Sequence, residues 1–321
     1  MRPANGHRHG EIAAQRRGAH KQGNDHMTQK IGFIGLGLMG GAMVARLQDK
    51  GYAVTVLGNR DRTELDKALA RGATEATSAK TLAEASDIIM LCMGTSDQVE
   101  ARMNGADGVI AGLSAGKTVI DFGTSLPGST KALGATVAAT GAAYLDAPIG
   151  RTPSHAREGA LNLMCAGDKA TFDRVKPVLD DLGENVFHLG ALGNGHTIKL
   201  INNFVAQNMA NAIAEAFAMA DAAGIERRAV YDVMSAGPLG SGFMDFMAAY
   251  ALDGDPSKLA FSIRNAAKDV GYYDQMARDA GAPSVMAGGA LGALRDATET
   301  GMGEALVPEL VDFYAKRAKP T

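Results

Sequence analysis

At 321 residues with a formal net charge of −3 and acids and bases interspersed, the chain carries no bulk attraction for nucleic acid or an anionic membrane surface. Its length suffices for two domains, each burying a core of its own. The two cysteines, Cys92 and Cys165, stand in apolar stretches without CxxC or metal-ligand spacing, which points to free thiols in a reducing, cytoplasmic compartment and to no metal site.

Residues 1–28 are polar, hold His7, His9, His20 and His26 at irregular spacing, and lack an apolar run that could act as a signal, so a disordered extension is expected, with Met27 a candidate native start. From Lys30 the pattern changes. A short apolar strand (Ile31, Phe33, Ile34) runs into Gly35-Leu36-Gly37-Leu38-Met39-Gly40, and a helix carrying Met43, Val44 and Leu47 on one face follows until Gly51. Strand, GxGxxG and helix in this order describe a phosphate-binding turn: one glycine for the tight turn, one for close approach of a pyrophosphate, one for helix packing on strand. Chance GxGxxG matches are expected in a chain with 40 glycines, and the flanking elements are what lift this one above a structural turn.

A second strand, Ala53 to Leu57, ends in Gly58-Asn59-Arg60-Asp61-Arg62. An NAD-selecting fold places a carboxylate here for the ribose 2′-hydroxyl, whereas an arginine suits the 2′-phosphate of NADP. Asn59 and Arg60 favour NADP; Asp61 taking the ribose, and hence NAD, stays open. A helix from Glu64 to Arg71 and a short one from Thr81 to Ala85 lead to the continuously apolar strand Asp87 to Met93, as expected of a parallel strand covered on both faces. Met93 and the following Gly94-Thr95-Ser96-Asp97 lie at a carboxyl end, where ligands of an open α/β sheet collect. Strand Thr118 to Phe122, the loop with Thr124, a helix over Ser129 to Thr140 and strand Ala143 to Asp146 continue the alternation of a doubly wound parallel sheet. Thr124 either meets the nicotinamide or caps a turn.

The turn Pro148-Ile149-Gly150-Arg151-Thr152-Pro153 offers backbone amides and one arginine to a carboxylate, sulfonate or phosphate; the alternative for Arg151 is a pair with a surface carboxylate. Leu161 to Ala166 and Glu184 to Leu189, with a helix over Asp168 to Leu182 between them, are read as completing the sheet. A dinucleotide-binding α/β domain over residues 29–192 is thus followed by an all-α domain over residues 193–321, entered through a long helix from Thr197 to Ala223. That helix holds too many polar residues, among them Asn202, Asn203 and Gln207, to span a membrane. Lys199, Asn202, Asn203 and Ala206 share one of its faces. A lysine there either exchanges a proton with a carbonyl or hydroxyl oxygen or pairs across a domain seam. Further helices are expected over Arg228–Ser235, Phe243–Leu252, Ser262–Ala280, Ser284–Thr300 and Glu304–Ala318.

With Gly35-x-Gly37-x-Met39-Gly40, Asp146-Ala147-Pro148, Lys199-Leu200-Ile201-Asn202-Asn203 and Lys268-Asp269 in this order, the sequence resembles the β-hydroxyacid dehydrogenase family over nearly everything after Met27. The resemblance implies a Rossmann-type domain, a helical second domain, NAD(P) as cofactor and a homodimer or homotetramer. It places the catalytic lysine on Lys199, its amide partner on Asn202 with Asn203 beside it, a cofactor-proximal lysine on Lys268 and a nicotinamide-side threonine on Thr124. Members acting on hydroxyisobutyrate or tartronate semialdehyde carry Ser-Gly-Gly where this chain has Gly150-Arg151-Thr152, which is similar to the branch of sulfolactaldehyde and four-carbon semialdehyde reductases. There the arginine grips the substrate's sulfonate or carboxylate. Ala206, where a serine is expected, and Asn59-Arg60, in place of an acidic strand end, depart from the sulfonate-specific, NAD-selective pattern, so the branch is implied but not the substrate.

The resulting expectation is reversible hydride transfer between NADP(H), with NAD(H) as the alternative, and a small anionic aldehyde or hydroxy acid. The cofactor falls to Gly35, Gly37, Leu38, Met39, Gly40, Asn59, Arg60, Met93, Thr124 and Lys268, and the substrate to Gly150, Arg151, Thr152 and Asn203. Competing expectations are an imine reductase, a 6-phosphogluconate-type oxidative decarboxylase, and a non-enzymatic NADP(H) sensor, which would need the glycine turn but not Lys199.

Overall fold

A computed structural model describes residues 29–317; the extension predicted for residues 1–28 lies outside the described residues. Strands β1 (Ile31–Ile34), β2 (Val54–Leu57), β3 (Thr74–Ala76), β4 (Ile88–Leu91), β5 (Thr118–Asp121) and β6 (Ala143–Asp146) form one parallel sheet in the order β3-β2-β1-β4-β5-β6. Helices α1 (Leu38–Asp49), α2 (Thr63–Ala70), α3 (Ala79–Ala85), α4 (Ser96–Met103) and α5 (Pro127–Ala138) are the crossovers. The order reverses direction at β1, which opens a crevice at the carboxyl ends of β1, β2 and β4. β1, β4 and β5 are buried along their whole length, because both faces are covered. One face packs Phe33, Met90 and Ile120 on Met43 and Leu47 of α1; the other packs Ile89 and Leu91 on Leu82 and Val99.

The strands predicted to complete this sheet instead make a second one. β7 (Ile149–Gly150) pairs antiparallel with β8 (Leu161–Cys165), which pairs parallel with β9 (Gly183–His188). β7 leaves the large sheet directly after β6 and begins the small one, with the isolated antiparallel bridge Asp146–Ala166 where the two regions touch. Elements not expected from the pattern include the short edge strand β3 and the helix α4 around the large sheet, and α6 (Pro153–Glu158), a six-residue helix between β7 and β8. α7 (Lys169–Leu182) covers the small sheet and tolerates Pro177 within it.

α8 (Asn194–Ala222) begins three residues before the predicted Thr197, and the reason is Asp146. This fully buried carboxylate at the end of β6 accepts hydrogen bonds from the backbone N–H of Gly193 (2.8 Å) and of His196 (2.7 Å), so it acts as a helix cap supplied from a distant strand. The rest of α8 lies in a helical domain with α9 (Arg227–Ser235), α10 (Gly242–Asp253), α11 (Ile263–Asp279), α12 (Val285–Ala297) and α13 (Leu310–Arg317). Phe217, Met247, Val270, Leu294 and Phe313 form its core. The helix predicted from Glu304 starts only at Leu310, after a short 3-10 turn containing Pro308 that interrupts the backbone ladder. No helix among the described residues is long and apolar enough to cross a membrane.

Asp146→Ala should lower stability by about 3 kcal/mol, since it strips the acceptor from two buried amides at once, whereas Asp146→Asn, which keeps one acceptor oxygen, should lose less. Denaturant midpoints of the two variants check this ordering.

Candidate active site

The glycine turn is sterically committed. Gly35 has φ +98°, and a Cβ at Gly40 would lie 1.9 Å from the carbonyl oxygen of Gly35, so neither position admits a side chain. Gly37 differs: a Cβ there would meet nothing within 4 Å, and it caps α1 without any side-chain hydrogen bond. The first amides of α1 are therefore uncovered in front of an open space, which is the fit a pyrophosphate requires. The cleft beside them, about 260 Å³, is lined by Gly35 and Gly37, by Asn59 and Asp61 after β2, by Cys92 and Met93 after β4, and by Gln98 and Arg102 of α4. Leu38 is exposed on the first turn of α1 and Met39 packs against the core; neither lines the cleft. Arg60 is exposed beside Asn59 and also outside the lining. Asp61 and Arg102 do line it. The sequence left Asp61 as an alternative and gave no sign of Arg102, because it comes from a helix that the pattern did not predict.

At the other end of the crevice the two domains meet. Lys268 of α11 donates to the carbonyl oxygens of Gly94 (2.8 Å) and Thr124 (3.3 Å), which belong to the loops after β4 and β5, and pairs with Asp269 at 2.9 Å. The hydroxyl of Tyr272, one turn on, accepts from the backbone N–H of Ser96 at 3.1 Å. Asp269 also accepts from the amide of buried Asn203 at 2.5 Å, and Asn203 accepts from exposed Asn202 at 3.2 Å. Lys199 precedes Asn203 by one helical turn. It is half-buried and, among the described residues, makes no hydrogen bond or ion pair. Desolvation pulls its pKa below the ordinary lysine range, with Asp269 opposing and Lys268 reinforcing the shift.

Behind this seam lies a buried polar cluster that sequence patterning did not single out. Burial pushes Asp121 up to about 6 even though its carboxylate accepts from the N–H of Gly123 (2.8 Å) and the hydroxyl of Ser125 (3.0 Å). His196 is fully buried and pulled down to about 4 by desolvation; its Nδ1 is hydrogen-bonded to the Thr130 hydroxyl at 2.7 Å. Asp121 thereby fixes the turn that offers the Thr124 carbonyl to Lys268, which makes Thr124 a backbone ligand of that lysine.

The anion grip expected at Gly150-Arg151-Thr152 is not a free cation. Arg151 has φ +79°, and its guanidinium donates to the Ala160 carbonyl at 2.6 Å and to the Glu184 carboxylate in β9. The surface-carboxylate alternative is the one the structure shows, because the left-handed backbone sends the side chain across the small sheet. Gly150 is a β7 ladder residue opposite Asn162, and the Thr152 hydroxyl bonds Ser154 and His155, both at 2.7 Å.

The chain matches two family descriptions: the NAD-binding domain of 6-phosphogluconate dehydrogenase over residues 30–190, and the NAD-binding region of NADP-dependent 3-hydroxyisobutyrate dehydrogenase over residues 193–314. It is 37% identical over 199 residues to the 2-hydroxy-3-oxopropionate reductase of Escherichia coli, covering 61% of this chain and 67% of that one. Identity to the glyoxylate/succinic semialdehyde reductase 2 of Arabidopsis thaliana is 29% over 249 residues, 76% of this chain and 67% of that one. The crystal structure of a 3-hydroxyisobutyrate dehydrogenase from Salmonella typhimurium superposes with a TM-score of 0.77 at 26% identity, covering 89% of this chain and 99% of that one.

Gly37→Ala should leave the thermal midpoint unchanged, since the added methyl meets no protein atom, while weakening dinucleotide binding by about tenfold or more through loss of close backbone approach. Calorimetry on the free protein and titration with NADPH read the two effects separately.

Proposed function

The chain belongs to the β-hydroxyacid dehydrogenase family, and from that premise we propose that it catalyses reversible hydride transfer between NADP(H) and a small anionic aldehyde or the corresponding hydroxy acid. An NAD(P)-dependent oxidoreductase acting on a CH–OH group is the coarser statement that the family match carries. The observation that supports the proton-transfer step is Lys199: a half-buried amine that makes no hydrogen bond or ion pair among the described residues, on a helix fixed at its start by Asp146 and one turn from the Asn203–Asp269 pair.

When bound, the nicotinamide supplies or accepts the hydride. In reduction the Lys199 ammonium donates a proton to the substrate's carbonyl oxygen; in oxidation the neutral amine takes the hydroxyl proton. Asn202, on the exposed side of the same helix, orients that oxygen. Desolvation, the larger effect, disfavours the charged form of Lys199 and Asp269 favours it, so the amine releases its proton more readily than a free lysine. Lys268 and the ammonium form of Lys199 place two cations at the seam, where they attract a carboxylate or sulfonate, with Asp269 beside them and Asp121 buried behind. The relatives named for 2-hydroxy-3-oxopropionate and for glyoxylate/succinic semialdehyde act on aldehydes of this kind. Arg151 joins the substrate by exchanging Glu184, a pair exposed enough to cost little to open.

Lys199→Ala should leave NADPH affinity within about twofold while turnover falls by roughly 10²–10⁴. In the wild type, the reductive rate should decline and the oxidative rate should rise as pH passes the lowered pKa of Lys199, below the 10.5 of a free lysine. Opposed limbs in the two directions, both absent from Lys199→Ala, are the result to look for.

We further propose that the protein works as a homodimer built on α8. Ile198, Ile201, Val205 and Met209, between 38% and 49% exposed, recur at helical spacing on one face and form a continuous apolar stripe that a second copy would cover. Ile201→Glu should convert the species seen by sedimentation from dimer to monomer.

A further inference from the structure

Arginines near the end of β2 differ in what they are free to do. Arg62 is fully engaged: its two terminal nitrogens donate to both oxygens of Glu75 at 2.9 and 3.0 Å, and it pairs with Asp66 at 3.2 Å. Arg60 is exposed and, among the described residues, forms no hydrogen bond or ion pair. Arg102 comes from another element, the last turn of α4, yet it lines the same cleft as Asn59 and Asp61. It too has no hydrogen bond or ion pair among the described residues, although it is half-buried.

A guanidinium in a helix's last turn has an ordinary reason to be there, since it offsets the helix dipole. That reason does not require it to face a ligand cleft. Gln98, one turn earlier on α4, accepts from the N–H of Gly94 at 3.0 Å, so this helix is pinned to the loop after β4 and carries Arg102 at a fixed place on the cleft wall. Asp61, the one carboxylate in the lining, accepts from the N–H of Thr63 at 2.9 Å, and that hydrogen bond holds it below the usual carboxylate range. With Asp61 alone the ribose end would repel a phosphate. Arg102 in the wall and Arg60 on the lip turn that single negative charge into one net positive charge, and both present a fork that matches phosphate oxygens.

We propose that Arg102 is a specificity-determining residue that, together with Arg60, holds the 2′-phosphate of NADP against the carboxylate of Asp61. The assignment rests on the dinucleotide reading of the cleft given above. Discrimination between the two nucleotides then arises from two elements, the loop after β2 and the end of α4, and not from the strand-end position alone.

Direct binding tests this without turnover. NADPH and NADH are titrated into wild type, Arg60→Ala, Arg102→Ala and Arg102→Gln while nucleotide fluorescence is followed, a signal free of tryptophan background because the chain has no tryptophan. 2′,5′-ADP and 5′-AMP serve as competitors, and thermal midpoints verify folding. The expected result is a loss of about tenfold or more in NADPH and 2′,5′-ADP affinity in both Arg102 variants, with NADH and 5′-AMP within about twofold, and the loss of nearly all discrimination when Arg60 and Arg102 are both replaced. Equal weakening of both nucleotides, which stacking on the adenine would give, overturns the proposal, as does no change in either or a wild type that binds both equally. A wild type that binds neither nucleotide overturns the dinucleotide reading itself.

Discussion

The architecture depends on one carboxylate. Asp146 ends the last parallel strand, lies wholly inside the protein, and receives the first amides of the helix that founds the second domain. A buried charge of this kind survives only with dedicated donors, and burial still raises its pKa. The helix start is consequently placed by the sheet, with no freedom to slide. Lys199 is less than two turns downstream, so its position relative to the strand ends is inherited from this contact.

From that anchor the electrostatics of the seam follow. Lys268 neutralises the outward dipoles of two loop carbonyls and meets Asp269, which in turn fixes Asn203. Among the described residues, Lys199 is left as the one amine in this chain of contacts without a bonded partner. Positioning is spent on its neighbours, and the amine itself stays available for exchange, which is the division of labour that proton transfer from a pre-set geometry needs.

Much of this was legible in the residue pattern, and the failures have physical causes. The parallel sheet, the glycine turn and the long helix were visible because buried strands are continuously apolar and the turn needs glycines at set spacing. The small sheet was misassigned since strand character does not encode which strand will be the neighbour: β8 and β9 are strand-like in pattern but pair with β7 and with each other. α4 went unread because its polar sequence has little apolar periodicity, and Arg102 went with it. Arg151 was recognised as an arginine in an unusual turn, but Glu184, which claims its charge, is far away in sequence and no local pattern links the two. His196 and Asp121 are ordinary polar letters until the fold buries them together.

The bidentate grip of Arg62 on Glu75 ties the loop after β2 to the neighbouring edge strand, and it lies wholly within the first half of the chain. Every residue that lines the cleft beside the glycine turn comes from that same half, while Lys199, Asn203 and Lys268 come from the other. On the proposed assignments, coenzyme preference and acid–base chemistry fall on separate stretches of sequence. Drift in one can be tolerated without retuning the other, so a lineage built on this plan is free to change its nucleotide and keep its reaction.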